Sequence, residues 1–283
     1  MNLQNIGVIG AGTMGNGIAQ VCALAGFDVT LLDIADSALQ KALATVSRNL
    51  DRQVTKGTLS EEQKLAALGK IRTSTDYASL KEVQLVIEAA TENLDLKLKV
   101  LQQIAAQVSA ECVIASNTSS LSITQLAASV SQPERFIGLH FFNPVPVMKL
   151  IEVIRGLQTS DATHALTLDM AQRLGKTAIT AGNRPGFVVN RILVPMINEA
   201  ILVLDEGLAS AEDIDAGMLL GCNQPIGPLA LADLIGLDTL LAIMQAFYDG
   251  FNDSKYRPAP LLKEMVAAGY LGRKTGRGFH AYD

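Results

Sequence analysis

Six residues near the N-terminus, Gly10-Ala11-Gly12-Thr13-Met14-Gly15, have the G-x-G-x-x-G spacing, and Asp33 follows further along. In this pattern the first glycine permits a tight turn and the second lets backbone amides approach a pyrophosphate. The third lets a helix pack close to a strand. Thr13 and Met14 would open that helix, whose N-terminus favours phosphate charge. An acid placed like Asp33 accepts hydrogen bonds from ribose hydroxyls and repels a 2′-phosphate, so the pattern points to NAD rather than NADP. Hydride removal from an alcohol then needs a base for the hydroxyl proton. His140 is the candidate; the other histidines, His164 in an ordinary helical stretch and His280 near the end, read as surface groups. Twelve residues after His140, Glu152 is the one charge inside the apolar run Leu150-Ile151-Glu152-Val153-Ile154. A carboxylate there needs a partner. An imidazole on a neighbouring strand would supply it, and the carboxylate would hold the ring in one orientation.

Two further sets of residues leave their readings open. Ser116-Asn117-Thr118-Ser119-Ser120 follows the apolar run Val113-Ile114-Ala115. Its hydroxyls suit a substrate oxygen, and one of them equally suits the N-cap of a helix starting near Ser122. Arg48, Arg52 and Lys56 recur at i, i+4 and i+8, on one helical face. They form either a solvated stripe or a docking rail for an anionic substrate. The tail Gly272-Arg273-Lys274-Thr275-Gly276-Arg277-Gly278 fails the phosphate-loop pattern, has no strand before it, and reads as a terminal loop. Cys22, Cys112 and Cys222 lie far apart in no metal-ligand spacing, so neither a metal site nor a disulfide framework is expected.

The elements that must position these groups follow from the hydrophobic pattern. Ile6-Gly7-Val8-Ile9 reads as a buried strand, a helical pattern runs from the glycine loop to Gly26, and Val29-Thr30-Leu31-Leu32 is a second strand. The next strand, Leu85-Val86-Ile87, comes about fifty residues later. A plain crossover needs far fewer, so residues 36–83 read as a helical insertion, two helices split near Gly57-Thr58-Leu59-Ser60. Further strands are expected at Val113-Ile114-Ala115, at 136–139, at 150–154 and near 177–180, with a helix from Asp161 to Leu174. After Pro185-Gly186 the pattern turns helical. Ile192, Leu193, Met196, Ile197, Ala200, Ile201 and Leu204 keep helical spacing, while Val194, Leu202 and Val203 fall off that stripe. Ser210 is a candidate N-cap for a later helix. The expected fold class is α/β: a Rossmann-type, mostly parallel sheet domain with a helical insertion over 1–184, followed by an all-α C-terminal domain over 185–283.

Composition bounds the function. Lys+Arg 23 against Asp+Glu 28 leaves −5 over 283 residues, which argues against strong nucleic-acid binding. With 49% hydrophobic and 18% charged residues the chain can bury a sizeable core. No apolar run reaches the length of about 18 residues that a membrane span needs. Met1-Asn2-Leu3-Gln4-Asn5 carries no basic segment ahead of an apolar one. The expectation is a cytoplasmic protein without a signal peptide or membrane partner.

One longer run is specific. His140-Phe141-Phe142-Asn143-Pro144-Val145-Pro146-Val147-Met148-Lys149-Leu150-Ile151-Glu152-Val153 resembles the signature of the L-3-hydroxyacyl-CoA dehydrogenase family. The resemblance covers the whole chain. It extends to the glycine loop, Ile87-Glu88-Ala89-Ala90-Thr91-Glu92-Asn93, Ala115-Ser116-Asn117-Thr118-Ser119-Ser120, Pro185-Gly186-Phe187-Val188-Val189-Asn190-Arg191 and the tail Lys274-Thr275-Gly276-Arg277-Gly278-Phe279. With no attached hydratase domain, the chain resembles most the bacterial short-chain branch, whose substrate is 3-hydroxybutyryl-CoA.

The resemblance implies roles position by position. His140 matches the catalytic base and Glu152 the carboxylate that orients it; Ser119 and Asn190 match contacts to the 3-oxygen and thioester region. Glu92, Lys97, Ser119 and Asn143 match positions around the nicotinamide and its ribose. Lys56 matches a lysine near the CoA nucleotide, which favours the docking rail over the plain stripe and brings Arg48 and Arg52 with it. Asn49 stands where some relatives carry a CoA-contacting Ser. The implied reaction is NAD-linked interconversion of a short-chain 3-hydroxyacyl-CoA and acetoacetyl-CoA, with substrate lying between the domains and a homodimer formed through the C-terminal domain. Two alternatives share this fold: a CoA-independent β-hydroxyacid dehydrogenase with a catalytic lysine, and a non-catalytic, crystallin-like NAD-binding protein. An intact Ser119, His140, Glu152 and Asn190 set weighs against both.

Overall fold

The computed structural model describes residues 3–282; Met1 and Asn2 of the N-terminal stretch, and Asp283, lie outside the described residues. The chain divides into two compact units, Met1–Arg184 and Pro185–Asp283. In the first unit the elements run β1 (Asn5–Ile9), α1 (Thr13–Leu24), β2 (Asp28–Leu32), α2 (Asp36–Thr55), α3 (Glu61–Gly69) and β3 (Ile71–Ser74). They continue with β4 (Leu85–Glu88), α4 (Leu94–Ala105), β5 (Val113–Ser116), α5 (Ile123–Ala127), β6 (Phe136–Phe141), β7 (Leu150–Arg155), α6 (Asp161–Arg173) and β8 (Thr177–Gly182). The strands form one eight-stranded sheet in the order β3-β2-β1-β4-β5-β6-β7-β8. Neighbours are parallel throughout except β6 and β7, which are antiparallel.

The sheet is apolar because both of its faces are covered. Leu85, Val86 and Ile87 in β4 and every residue of β6 are buried, the continuous pattern that marks a strand packed on two sides. A core of Ile6, Val8, Leu31, Ile87, Ala115 and Leu139 from the strands meets Ile18, Cys22, Val46 and Leu50 from α1 and α2. Burial pushes the thiol of Cys22 up to about 12, so it acts as a small apolar side chain.

The expected helical insertion is α-helical only to Gly69; Ile71–Ser74 is a strand that extends the sheet beyond β2, and a single 3-10 turn, Tyr77–Leu80, follows it. As the sheet edge it needs one pairing partner only, and Ile-Arg-Thr-Ser carries too little apolar pattern to announce itself. The two helices of the insertion are separated as the turn residues suggested. Ser60 caps α3 and Gln63 returns the bond, closing a capping box.

The second unit contains α7 (Val189–Asp205), α8 (Ala211–Gly221), α9 (Pro228–Ile235), α10 (Leu237–Phe251) and α11 (Pro260–Ala267). Its core joins Val194, Ile197 and Ile201 of α7 to Leu229 of α9 and Leu240, Met244 and Phe247 of α10. Ser210 caps α8 by accepting from the Asp213 amide at 3.1 Å. The tail is a packed strap rather than a plain loop. Buried Asp233 accepts the Phe279 and His280 amides, and the His280 ring bonds Asp215 at 2.8 Å. Reading His280 as a surface group missed this, since both acids lie far from it in sequence. His164 also has a partner, Thr180 Oγ1 at 2.9 Å. No single helix among the described residues is long and apolar enough to cross a membrane.

Candidate active site

Parallel strands bring their carboxyl ends to one edge of the sheet, where open α/β sheets bind ligands. The glycine loop lies at the end of β1. Gly10 has φ +95°, the left-handed region, and a Cβ there would lie 2.6 Å from Ala90 Cα, so the loop after β4 presses directly on it. Gly12 is the N-cap residue of α1, no side chain caps that helix, and a Cβ added to Gly12 would meet nothing within 4 Å. Open space above an uncapped helix N-terminus, opened by Thr13, Met14 and Gly15, is what a dinucleotide pyrophosphate requires. The residues present therefore fit an NAD molecule.

Asp33, at the end of β2, has two backbone partners. One carboxylate oxygen accepts the Ala11 amide at 2.7 Å and the other accepts the Ala35 amide at 3.1 Å. It thus clamps the glycine loop to the end of β2, and each oxygen keeps a second lone pair for a ligand. Burial and the nearby Asp33 and Glu88 carboxylates push the Tyr77 phenol above its ordinary range.

The N-cap reading of the Ser116–Ser120 segment does not hold. The cap of α5 is Ser122 itself, which accepts from the Gln125 amide. Ser116 turns inward and donates to Glu88 at 2.8 Å. Glu88 and Lys97 are both fully buried and lie 2.5 Å apart, with Lys97 also bonding Ser116 at 3.2 Å. The ammonium expected at the nicotinamide is therefore 1% exposed and held by a carboxylate. The other oxygen of Glu88 accepts the Ala90 amide at 2.9 Å, so the triad fixes the loop that rests on Gly10. Glu88 was legible by the same sign as Glu152: a lone acid in an apolar strand.

Glu92 is exposed and accepts from Thr118 Oγ1 at 2.7 Å and from the Ser119 amide and hydroxyl at 2.8 and 3.2 Å. This places Glu92 and Ser119 together at the strand ends. Asn143, exposed, follows β6 by two residues.

β6 and β7 supply the last pair. Their antiparallel register sets His140 directly opposite Glu152. The His140 Nδ1–H donates to the Glu152 carboxylate at 2.7 Å, with Glu152 fully buried and His140 7% exposed. The assignment of the proton to Nδ1 follows from the carboxylate being an acceptor only. The Phe142 ring packs on the imidazole, centroids 4.5 Å apart.

Arg48 and Arg52 on α2 and Lys56 at its C-cap are all exposed. Asn49, half-buried between Arg48 and Arg52 in sequence, donates its amide nitrogen to Gln20 of α1 at 3.3 Å. Asn190 is half-buried in the first turn of α7, in the C-terminal unit. Among the described residues no group of three or more His, Cys, Asp or Glu could hold a metal ion.

A dinucleotide loop at one strand end and a carboxylate-held histidine at another define an NAD-linked oxidoreductase. Residues 5–184 match the 3-hydroxyacyl-CoA dehydrogenase NAD binding domain, and residues 186–282 match the 3-hydroxyacyl-CoA dehydrogenase C-terminal domain. The chain belongs to the 3-hydroxyacyl-CoA dehydrogenase family and is an NAD-dependent dehydrogenase. It is 52% identical over 280 residues to the 3-hydroxybutyryl-CoA dehydrogenase of Bradyrhizobium diazoefficiens, covering 99% of this chain and 96% of that one. The identity to the enzyme of that name from Clostridioides difficile is 47% over 280 residues, covering 99% and 100%. Among solved structures, (S)-3-hydroxybutyryl-CoA dehydrogenase from Ralstonia eutropha superposes with a TM-score of 0.99 at 62% identity, covering all of both chains.

Proposed function

We propose that the chain interconverts (S)-3-hydroxybutyryl-CoA and acetoacetyl-CoA, with His140 as the acid–base group and Glu152 as the carboxylate that orients it. The observation that carries this reading is the buried 2.7 Å pair between His140 Nδ1 and Glu152, opposite one another in register. With Nδ1 held as a donor, proton exchange with substrate falls to Nε2. In oxidation Nε2 takes the hydroxyl proton while the C3–H bond breaks and the C3–O double bond forms; in reduction the same nitrogen returns the proton. NAD, when bound, supplies the hydride acceptor.

Gly10, Gly12, Thr13, Met14 and Gly15 receive the pyrophosphate, and Asp33 selects NAD by facing the adenosine ribose. Ser119 and Asn190 bind the 3-oxygen and thioester region, while Glu92 and Asn143 line the nicotinamide side. Lys97 serves that side indirectly, by holding Glu88 and through it the loop at Ala90. Arg48, Arg52 and Lys56 attract the phosphates of CoA. Asn49, bonded to Gln20, fixes α2 against α1. The names of the relatives at 47–52% identity support the short-chain substrate.

Steady-state kinetics of His140→Gln with acetoacetyl-CoA and NADH test this. The expected result is a kcat lower by roughly 10²–10⁴ with a modest change in KM. Near-wild-type turnover would sink the assignment.

A further inference from the structure

We propose that Asn117 is a positioning residue for the reaction, fixing through its side-chain amide the end of β6 on which His140 sits. The proposal rests on the reading of His140 as the acid–base group. The ladder between β5 and β6 ends at the pair Ser116↔Gly138, so Leu139, His140 and Phe141 run on past the last main-chain pairing with β5. Asn117 bridges that stretch. Its side-chain Oδ1 accepts the Phe141 amide at 2.9 Å, inside the fold, where Phe141 is 1% exposed. The donor on Phe141 fixes which way the amide faces, since only the oxygen can accept there.

Asn117 is itself anchored. Its main-chain N–H donates to the Glu88 carbonyl at 2.7 Å, and the Glu88 side chain is locked in the buried triad with Lys97 and Ser116. His140 is thus held from both sides of its strand. Glu152 on β7 sets the ring, and Asn117 after β5 sets the backbone one residue away. A hydrogen bond at this point transmits the rigidity of the triad to the proton-transferring group. Small displacements of such a group have large effects on turnover, up to about 10²-fold for a shift near 1 Å.

The test is a double-mutant cycle on the full chain. Asn117→Leu keeps the branched side-chain skeleton, with two methyl groups in place of the amide, and removes the acceptor. Alone it should lower kcat about 10–100-fold, with the NADH Kd (nicotinamide fluorescence) and the KM for acetoacetyl-CoA within about threefold of wild type. In the His140→Gln background the same substitution should change kcat by less than about twofold, because the group it positions is gone. Equal losses in both backgrounds, or a loss confined to KM, overturn the proposal and leave the role of His140 standing. Undiminished turnover in His140→Gln alone overturns the underlying reading instead. If Asn117→Leu fails to fold, Asn117→Ala takes its place in the same cycle with the same criteria.

Discussion

The buried ion pair between Lys97 and Glu88 gives the most demanding prediction. Lys97 is 1% exposed and Glu88 not at all, so removing one partner strands the other charge away from water. Breaking a buried pair in this way costs about 3–5 kcal/mol. The two single variants should differ. Lys97→Met leaves the Glu88 carboxylate two donors, the Ser116 hydroxyl and the Ala90 amide, and belongs near 3 kcal/mol by that scale. Glu88→Gln leaves the ammonium without its counter-charge and belongs near 5 kcal/mol on the same scale. At roughly 2–4 °C per kcal/mol for a unit of this size, the melting point should fall by about 6–20 °C. The double variant Glu88→Gln/Lys97→Met leaves no charge at this pair, and its loss of stability should be well below the sum of the two single losses. Thermal melts of the full chain, followed by circular dichroism, read all three. A Lys97→Met protein that melts like wild type but binds NADH weakly would refute the reasoning and return Lys97 to direct cofactor contact. Additive losses in the double variant would refute it as well.

If the stripe on α2 holds CoA phosphates, Arg48→Ala and Lys56→Ala should each raise the KM for acetoacetyl-CoA several-fold. The same variants should leave the KM for a short pantetheine thioester, which lacks the nucleotide, unchanged; a parallel rise with both would show a structural effect. Thiol labelling should be selective. Burial pushes Cys22 and Cys112 up to about 12, so at pH 8 only about 10⁻⁴ of either is thiolate, whereas Cys222 is exposed. One thiol should react in the native protein and three in denaturant, and raising the pH toward 12 should increase the reactivity of the buried pair; fast labelling of two or more native thiols at pH 8 contradicts this. The C-terminal unit leaves Ile192 67% and Leu234 54% exposed, and a homodimer through that unit would cover such side chains. Light scattering at micromolar concentration should then give twice the chain mass, and Ile192→Glu should shift it toward the monomer.

Much of the arrangement was legible because it rests on residues that contradict their surroundings. A glycine triplet between a strand and a helix, and an acid in the apolar run 150–154, each violate a local preference, and each marks a place where the fold needs that residue. The strand Ile71–Ser74 violates nothing. It has one apolar residue, lies at the sheet edge and pairs on one side only, so its sequence is compatible with coil. The Ser116–Ser120 segment hides its division of labour for a different reason. Five adjacent polar residues look alike in sequence, yet the parallel sheet turns Ser116 into the core and brings Ser119 to Glu92. That choice depends on where β4 and the loop after it place two glutamates, which no local window contains.

Glu88 and Glu152 make the point sharper, because they present the same signal and serve different ends. Each is a fully buried carboxylate in an apolar strand. Glu88 meets an ammonium sealed from solvent, and the pair with Ser116 ties three segments together without a group that could carry a proton outward. Glu152 meets an imidazole, which has a second nitrogen and some exposure, and under the proposed function that orientation serves the substrate. A lone buried acid in a strand therefore predicts a partner but not a role. The role follows from whether the partner has another atom that reaches the site, and that depends on the register between β6 and β7.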